Sequence, residues 1–188
     1  MITLLKKQGY FETLWKNGGG KTQQIAIYPP EAELAKNNFL WRISSATVSQ
    51  ESPFSQFPGY ERLLTVWKGA GLLLNQTELL PFKFLRFSGD SDIYCKLIGP
   101  DAVTDLGVIY NKDKIKARLS TETILPDSTV DLGPGLHFLF LAEGGTCQVN
   151  NFPMEVGDTL KIEQTELIHV FSSDHSKQHF FLITLKDL

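Results

Sequence analysis

Hydrophobic and polar residues alternate with a period of two in several short stretches of this chain, whereas helical periodicity is scarce. In residues 40–45, Trp41 and Ile43 would share one face of an extended strand, and Arg42 and Ser44 the other. Residues 115–119 and 159–162 alternate in the same way. This period is typical of strands with two different faces, so the pattern predicts a β-rich fold.

Short bulky runs bounded by Gly, Pro, Asn or Asp predict further strands. They cover residues 63–67, 72–74, 82–87, 137–141 and 180–185. Many short strands separated by turn residues indicate an all-β sandwich or barrel. A short helix, about a turn and a half long, is predicted only at residues 31–36.

A similar order of turns occurs in both halves of the chain. In each half a bulky strand enters a glycine turn, at residues 66–72 and 141–146, and a Gly-Asp turn follows at residues 89–90 and 157–158. Such turns suit tight hairpins. We therefore predict a duplicated β-roll within one compact unit, with approximate halves 1–110 and 111–188.

Composition narrows the class of protein. With 188 residues, 42% hydrophobic, the chain can bury a substantial core. The net charge is −3 without a basic stripe, and no apolar run reaches about eighteen residues, so we expect neither a nucleic-acid partner nor membrane insertion. Two distant cysteines and the lack of a signal-peptide pattern predict a cytoplasmic location.

The segment 15–22, WKNGGGKT, has the ending of a phosphate-binding loop but not its beginning. The first glycine of that motif would fall at position 15, where Trp15 stands. Residues 23–30 predict a strand stopped by two prolines rather than the helix that phosphate binding requires. We interpret the segment as a glycine turn whose neighbouring aromatic ring could line a ligand pocket.

Metal and nucleophile signatures are incomplete. The four histidines include no H-x-H pair, and His175 and His179 lie in a polar stretch predicted to be a loop. His137 and His169 fall in apolar runs, where we interpret them as core or edge residues. There is no G-x-S-x-G motif. We expect no metal, no cofactor and no catalytic residue.

Arg42 and Arg62 are the most informative charged residues, because both occupy strand positions among apolar and small neighbours. A buried guanidinium needs an anion, and its planar fork matches a carboxylate. The anion is either a small acidic ligand or, as the plainer interpretation of either arginine alone, an internal partner such as Asp90 or Asp105. The aromatic loop at residues 52–60, which contains Phe54 and Phe57, is either a packed connection or the rim of a pocket.

These segments together resemble the HutD/Ves family, in order and over nearly the whole chain. The residues that carry the resemblance are WKNGGGKT (15–22), FLWRISSA (39–46), PFSQFPGYER (53–62), GAG (69–71), FSGD (87–90) and VGD (156–158). The resemblance implies an all-β bicupin, with two cupin-like, RmlC-like jelly rolls and a metal-free pocket. It also implies a link to histidine utilisation or stress responses, without an established enzyme activity.

For the histidine-linked branch, the resemblance implies sensing or buffering of a small acidic intermediate such as formylglutamate or urocanate. The pocket residues it suggests, together with the aromatic loop, are Trp15, Asn17, Gly18, Arg42, Ser44, Phe54, Phe57 and Arg62. Two positions depart from the family pattern. Gln24 stands where an acidic residue is usual, and Gly107 stands where the family tends to have Asn.

We therefore expect a non-enzymatic, regulatory protein that binds a small anionic metabolite, with a homodimer as an allowed assembly. One alternative is a cupin-type enzyme, an isomerase or hydrolase acting on a small carboxylate or sugar, with His137 or His169 in its site. Another is a partner-binding module that uses the aromatic loop as its contact surface.

Overall fold

The structure is a computed structural model that describes residues 1–163, 167–172 and 176–188, and these residues are almost entirely β. It divides into two units. The amino-terminal roll comprises Phe11–Ile115 and Leu188, and the carboxy-terminal roll comprises Met1–Tyr10 and Lys116–Asp187. The first strand, β1 (Ile2–Leu5), therefore belongs to the carboxy-terminal roll.

The amino-terminal roll consists of two antiparallel sheets. Its strands are β2 (Phe11–Leu14), β3 (Gly20–Tyr28), β4 (Trp41–Val48), β5 (Ser52–Pro53), β6 (Tyr60–Lys68), β7 (Leu72–Leu74), β8 (Thr77–Leu79), β9 (Phe84–Ser88), β10 (Tyr94–Leu97) and β11 (Val103–Asn111). One sheet has the order β2-β3-β4-β11-β6-β9, and the other has the order β5-β10-β7-β8.

Side chains from both sheets form the core of this roll. The main cluster contains Val48, Leu64, Val66, Leu72, Leu74, Leu79, Cys95 and Val103. A second cluster contains Phe39, Phe57, Tyr60 and Ile109. Each large side chain buried in this way stabilises the fold by about 1.5–3 kcal/mol before entropy is counted, so the roll has an adequate core of its own.

The carboxy-terminal roll repeats the two-sheet plan. Its remaining strands are β12 (Ile115–Ile124), β13 (Ser128–Asp131), β14 (Leu136–Glu143), β15 (Cys147–Val149), β16 (Phe152–Met154), β17 (Thr159–Glu163), β18 (Leu167–Ser172) and β19 (Gln178–Asp187). The sheet orders are β1-β17-β14-β19-β12 and β13-β18-β15-β16. Leu139, Leu141, Leu160 and Phe180 are among the fully buried residues at its centre.

The first ten residues are joined to the carboxy-terminal roll by strand pairing and by one buried carboxylate. Strand β1 pairs antiparallel with β17. Asp158, whose side chain is fully buried, accepts hydrogen bonds from Lys6 Nζ at 2.9 Å, from Lys7 N at 3.0 Å and from Glu155 N at 2.9 Å. Desolvation raises the pKa of Asp158, but these donors outweigh it and lower the pKa overall.

Every stretch predicted as a strand overlaps a strand of the structure, although β9 begins at Phe84, two residues later than expected. The predicted helix at residues 31–36 is reduced to one 3-10 turn, Leu34–Lys36, and the only other helical turn in the described residues is Lys7–Gly9. No helix in the described part of the chain has the length and apolar character needed to cross a membrane.

Candidate functional site

Arg42 and Arg62 lie on the same row of the six-stranded sheet. In the antiparallel register, Ile109 on β11 is paired with Arg42 on β4 at one side and with Arg62 on β6 at the other. Paired residues on neighbouring strands project to the same face of a sheet. Ile109 itself belongs to a core cluster, so both guanidinium groups lie on the inner face of the amino-terminal roll.

Arg42 is held by two neutral partners. The residue is only 7% exposed. Its Nε donates to Gln24 Oε1 at 2.8 Å, and one terminal nitrogen donates to Ser44 Oγ at 3.2 Å. Burial lowers the pKa of Arg42 to about 10, so the group keeps its charge at neutral pH. Neither partner neutralises that charge.

Arg62 is surrounded by the rings of the aromatic loop and of β9. Its Cζ lies 4.6 Å from the ring centroid of Phe54, 5.9 Å from that of Phe57 and 5.2 Å from that of Phe87. These distances suit cation–π contacts, and a terminal nitrogen also donates to the Ser55 carbonyl oxygen at 3.2 Å. The aromatic loop therefore contributes to the surroundings of Arg62.

Desolvation lowers the pKa of Arg62 to about 10, and the nearby positive charge of Arg42 contributes to the same shift. The negative charge of Asp105 acts in the opposite direction. The two guanidinium groups are thus close enough to repel each other electrostatically. Among the residues that the structure describes, neither of them belongs to an ion pair.

Asp105 is the acidic residue of this inner face. It lies on β11, paired with Ala46 and Val66, and is only 5% exposed. Its Oδ1 accepts a hydrogen bond from Ala46 N at 3.3 Å. Burial raises the pKa of Asp105 to about 7, against the lowering effects of Arg62 and of the Ala46 N–H group. Neither arginine forms an ion pair with Asp90 or Asp105, the two internal partners considered from the sequence. Asp90 is exposed and bonds only to Ser88.

We call Gln24, Arg42, Ser44, Arg62 and Asp105 the arginine cluster. The residues beside it are short, since Ala46 and Gly107 occupy the inner-face positions paired with Asp105 and Ser44. A Cβ at Gly107 would have only ordinary contacts, the nearest being Leu64 Cδ1 at 3.4 Å. Side chains this short occupy little of the space above the sheet beside the arginines.

The glycine segment predicted to line the pocket does not join the cluster as a whole. Asn17 and Gly18 are exposed, and Asn17 Oδ1 accepts a hydrogen bond from Gly19 N at 3.0 Å within the turn. Trp15 is partly buried, packs against the main core cluster, and donates from Nε1 to Thr22 Oγ1 at 2.8 Å. The structure thus gives Asn17 a turn-forming hydrogen bond and gives Trp15 a packing contact.

Sequence reasoning did not include Gln24, Asp105 and Phe87 among the site residues. Gln24 and Gly107 are both paired with Ser44, so the two departures from the family pattern flank one residue of the arginine cluster. The sequence signalled each departure separately, but only the pairing of strands β3, β4 and β11 brings the two positions together.

The histidines stand apart from this cluster. His137 is buried, with its ring nitrogens 3.1 Å from Thr184 Oγ1 and 3.0 Å from the Gly133 carbonyl oxygen, and desolvation lowers its pKa. His169 is exposed, and His175 lies outside the described residues. Among the residues that are described, no group of three or more His, Cys, Asp or Glu side chains is arranged to hold a metal ion.

Comparisons with known proteins agree with this architecture. A sequence model described as HutD matches residues 7–180. A Pseudomonas putida protein described as an uncharacterized 21.2 kDa protein in the hutC 3' region is 39% identical over 123 residues, which cover 63% of this chain and 63% of that protein. The match thus spans slightly less than two thirds of that relative's length.

Two solved structures extend the comparison to the fold. HutD from Pseudomonas fluorescens SBW25, solved in a formate condition, has a TM-score of 0.80 at 28% identity, with 100% of each chain covered. A cupin 2 conserved barrel domain protein from Leptotrichia buccalis has a TM-score of 0.56 at 13% identity, with 88% of each chain covered. The all-β, cupin-type fold expected from the resemblance is confirmed.

Proposed function

The chain belongs to the HutD family, and from this premise we propose that it is a non-enzymatic protein that binds a small carboxylate at Arg42 and Arg62. The observation that carries the proposal is the pair of guanidinium groups on one inner row, without an ion pair among the described residues. Leaving such charges unneutralised is unfavourable, so a bound anion would gain from both.

The ligand would enter bidentate contacts with one or both arginines, because the guanidinium fork matches the two oxygens of a carboxylate. Phe54, Phe57 and Phe87 would form the apolar wall behind Arg62. Ser44 already bonds to Arg42 and would keep that side chain oriented. A preorganised, partly apolar site of this kind is typical of small-molecule binding.

Histidine or amino-acid catabolism is the biological setting that the names of the relatives favour. The Pseudomonas putida relative is described by its place beside hutC, and the Pseudomonas fluorescens structure was solved in a formate condition. Formate carries the same carboxylate group that we propose for the ligand. A regulatory role follows from the proposal that the protein binds its ligand without converting it.

A thermal-shift screen with formate, acetate and small mono- and dicarboxylates tests this function. A ligand at a hundred times its Kd should raise the free energy of unfolding by about 2.7 kcal/mol. We expect Arg42→Ala and Arg62→Ala to abolish that shift. Arg118→Ala is the matched control, because Arg118 is an exposed arginine on β12 and its loss should leave the shift intact. The proposal fails if no carboxylate stabilises the wild-type protein, or if both cluster variants still respond.

A further inference from the structure

Asp105 has one oxygen that is engaged and one that is not. Oδ1 accepts a hydrogen bond from Ala46 N at 3.3 Å. No second hydrogen bond of this carboxyl occurs among the described residues. The residue as a whole is only 5% exposed. Its second oxygen nevertheless keeps some solvent access, because Gln178 Oε1 is the fully buried side-chain atom that lacks a hydrogen-bond partner among the described residues. A ligand donor can therefore reach this oxygen and take the place of solvent as its partner.

The charges already present on the inner face limit which ligands fit beside this carboxyl. Arg42 and Arg62 bring two positive charges to the inner face, and an ionised Asp105 brings one negative charge. A monoanionic ligand makes the sum zero. A dianionic ligand would leave an excess negative charge and would place its second carboxylate near Asp105, which is costly in a buried site.

We propose that the site selects monocarboxylates that carry an N–H or O–H donor at the far end, with Asp105 as the acceptor of that donor. This inference rests on the proposed function, because it needs the ligand carboxylate to be held by Arg42 and Arg62. Asp105 is then a specificity-determining residue that discriminates against dicarboxylates of the same length.

The preference for monocarboxylates over dicarboxylates should depend on pH, because it depends on the charge of Asp105. The charged and titratable groups around Asp105 influence that charge. These groups are Arg62 on β6 and Cys95 on β10 of the opposite sheet, while Arg42 on β4 acts on Arg62. Burial raises the pKa of Cys95 to about 12, so the thiol is neutral at physiological pH. Because the pKa of Asp105 is about 7, its free oxygen is an acceptor above that pH and becomes a donor below it. A second ligand carboxylate is therefore rejected at pH 8 and better tolerated at pH 6.

The experiment compares half-amides with diacids of the same shape by isothermal titration calorimetry. The probe pairs are malonamate and malonate, succinamate and succinate, and glutaramate and glutarate, which cover three distances between the carboxylate and the second group. At pH 8 we expect the best-binding half-amide to bind at least about tenfold more tightly than its diacid. The ratio should decrease at pH 6, after correction for the ionisation of the diacid itself.

Asp105→Asn is the decisive variant. Ala46 N–H donates to Oδ1 in the wild-type protein, so the new amide should place its oxygen at this position. Its NH₂ group should then lie where the free carboxyl oxygen was. The site then carries two uncompensated positive charges and a donor, so the preference should invert in favour of the diacid. Asp90→Asn is the control, because Asp90 is exposed and should leave the ratio unchanged.

The outcomes test the role of Asp105 separately from the proposed binding of a carboxylate by Arg42 and Arg62. Equal or tighter binding of the diacids to the wild-type protein at pH 8 overturns the role of Asp105. Binding of formate and acetate alone, without any half-amide or diacid, also overturns it and leaves the proposed function intact. Absence of binding for every carboxylate removes the proposed function as well. If Asp105→Asn fails to fold, the wild-type ratios at the two pH values still give the answer.

Discussion

At the scale of single residues, the inner face of the amino-terminal roll holds a buried arginine, Arg42, and a partly exposed one, Arg62, and neither forms an ion pair with a described carboxylate. Arg42 is the more extreme case, because it is 7% exposed and its partners Gln24 and Ser44 are uncharged. Arg62 is partly compensated by three aromatic rings. A charge retained under such conditions lowers the stability of the empty protein, and a binding role explains why it is kept.

Arg42→Met should therefore stabilise the empty protein while abolishing carboxylate binding. The thioether chain fills a similar volume without a charge to desolvate, and we expect the free energy of unfolding to increase by about 1–2 kcal/mol. Urea denaturation without ligand measures this change. Arg118→Met, at an exposed position of β12, should change it by less than about 0.5 kcal/mol. A loss of stability in Arg42→Met would show that the charge is well compensated.

At the scale of elements, the aromatic loop and the turn after β9 hold each other in place. Phe57 N donates to the Gly89 carbonyl oxygen at 2.8 Å, and Gly89 N donates to the Tyr60 carbonyl oxygen at 2.8 Å. A Cβ at position 89 would collide with the Phe57 carbonyl oxygen and would lie 3.0 Å from that of Tyr60. The glycine of the FSGD segment thus permits the close approach that positions Phe57 beside Arg62.

Gly89→Ala should lower the free energy of unfolding by about 1–3 kcal/mol, because backbone atoms of the loop would have to move. It should also weaken carboxylate binding through displacement of Phe57. Gly9→Ala is a matched control, since a Cβ there would meet nothing within 4 Å. Chemical denaturation and the thermal-shift assay report the two effects separately. Equal stabilities of the two variants would mean that this loop adapts without cost.

At the scale of the whole molecule, the chain does not divide at its midpoint. Residues Met1–Tyr10 belong with Lys116–Asp187, and the buried Asp158 binds both Lys6 and Lys7. Tyr10 extends the same connection, because its hydroxyl lies 2.8 Å from Thr159 Oγ1 and 2.9 Å from the Gly157 carbonyl oxygen. The amino-terminal segment is thus an integral strand of the carboxy-terminal roll.

Asp158→Ala should destabilise the protein by about 3 kcal/mol or more, because it leaves buried backbone donors and a lysine without their acceptor. Amide hydrogen exchange in residues 2–5 should increase at the same time. Because folding lowers the pKa of Asp158, its contribution to stability is fully present above the pKa that this aspartate has in the unfolded chain. That contribution is lost as the pH falls through the lower pKa of the folded protein. The variant should therefore lose less stability than the wild type between pH 6 and strongly acidic pH.

Asp90→Ala is the natural comparison for this prediction, because Asp90 follows the corresponding glycine in the amino-terminal roll. It is exposed and bonds only to Ser88, so its loss should change the free energy of unfolding by less than about 0.5 kcal/mol. The two Gly-Asp turns resemble each other in sequence but differ in burial. Equal effects of the two substitutions would contradict the assignment of Asp158 as an anchor.

The sequence by itself determined the strands, the family and the shared face of Arg42 and Ser44. These are local properties, because alternation along a single strand already specifies which residues project together. The motif blocks likewise needed no partner strand to be recognised. The aromatic loop beside Arg62 could be anticipated for the same reason, since Phe57 and Arg62 lie only five positions apart.

Only the tertiary structure decided which distant residues join the arginines. Simple alternation along β3 would put Gln24 on the face opposite to Ile27, but a register shift between Gln24 and Ala26 brings Gln24 opposite Ser44 and onto Arg42. Asp105 reaches the cluster through the pairing of β11 with β4 and β6. Bulges and pairing registers depend on contacts between segments far apart in the chain, so a local pattern does not specify them.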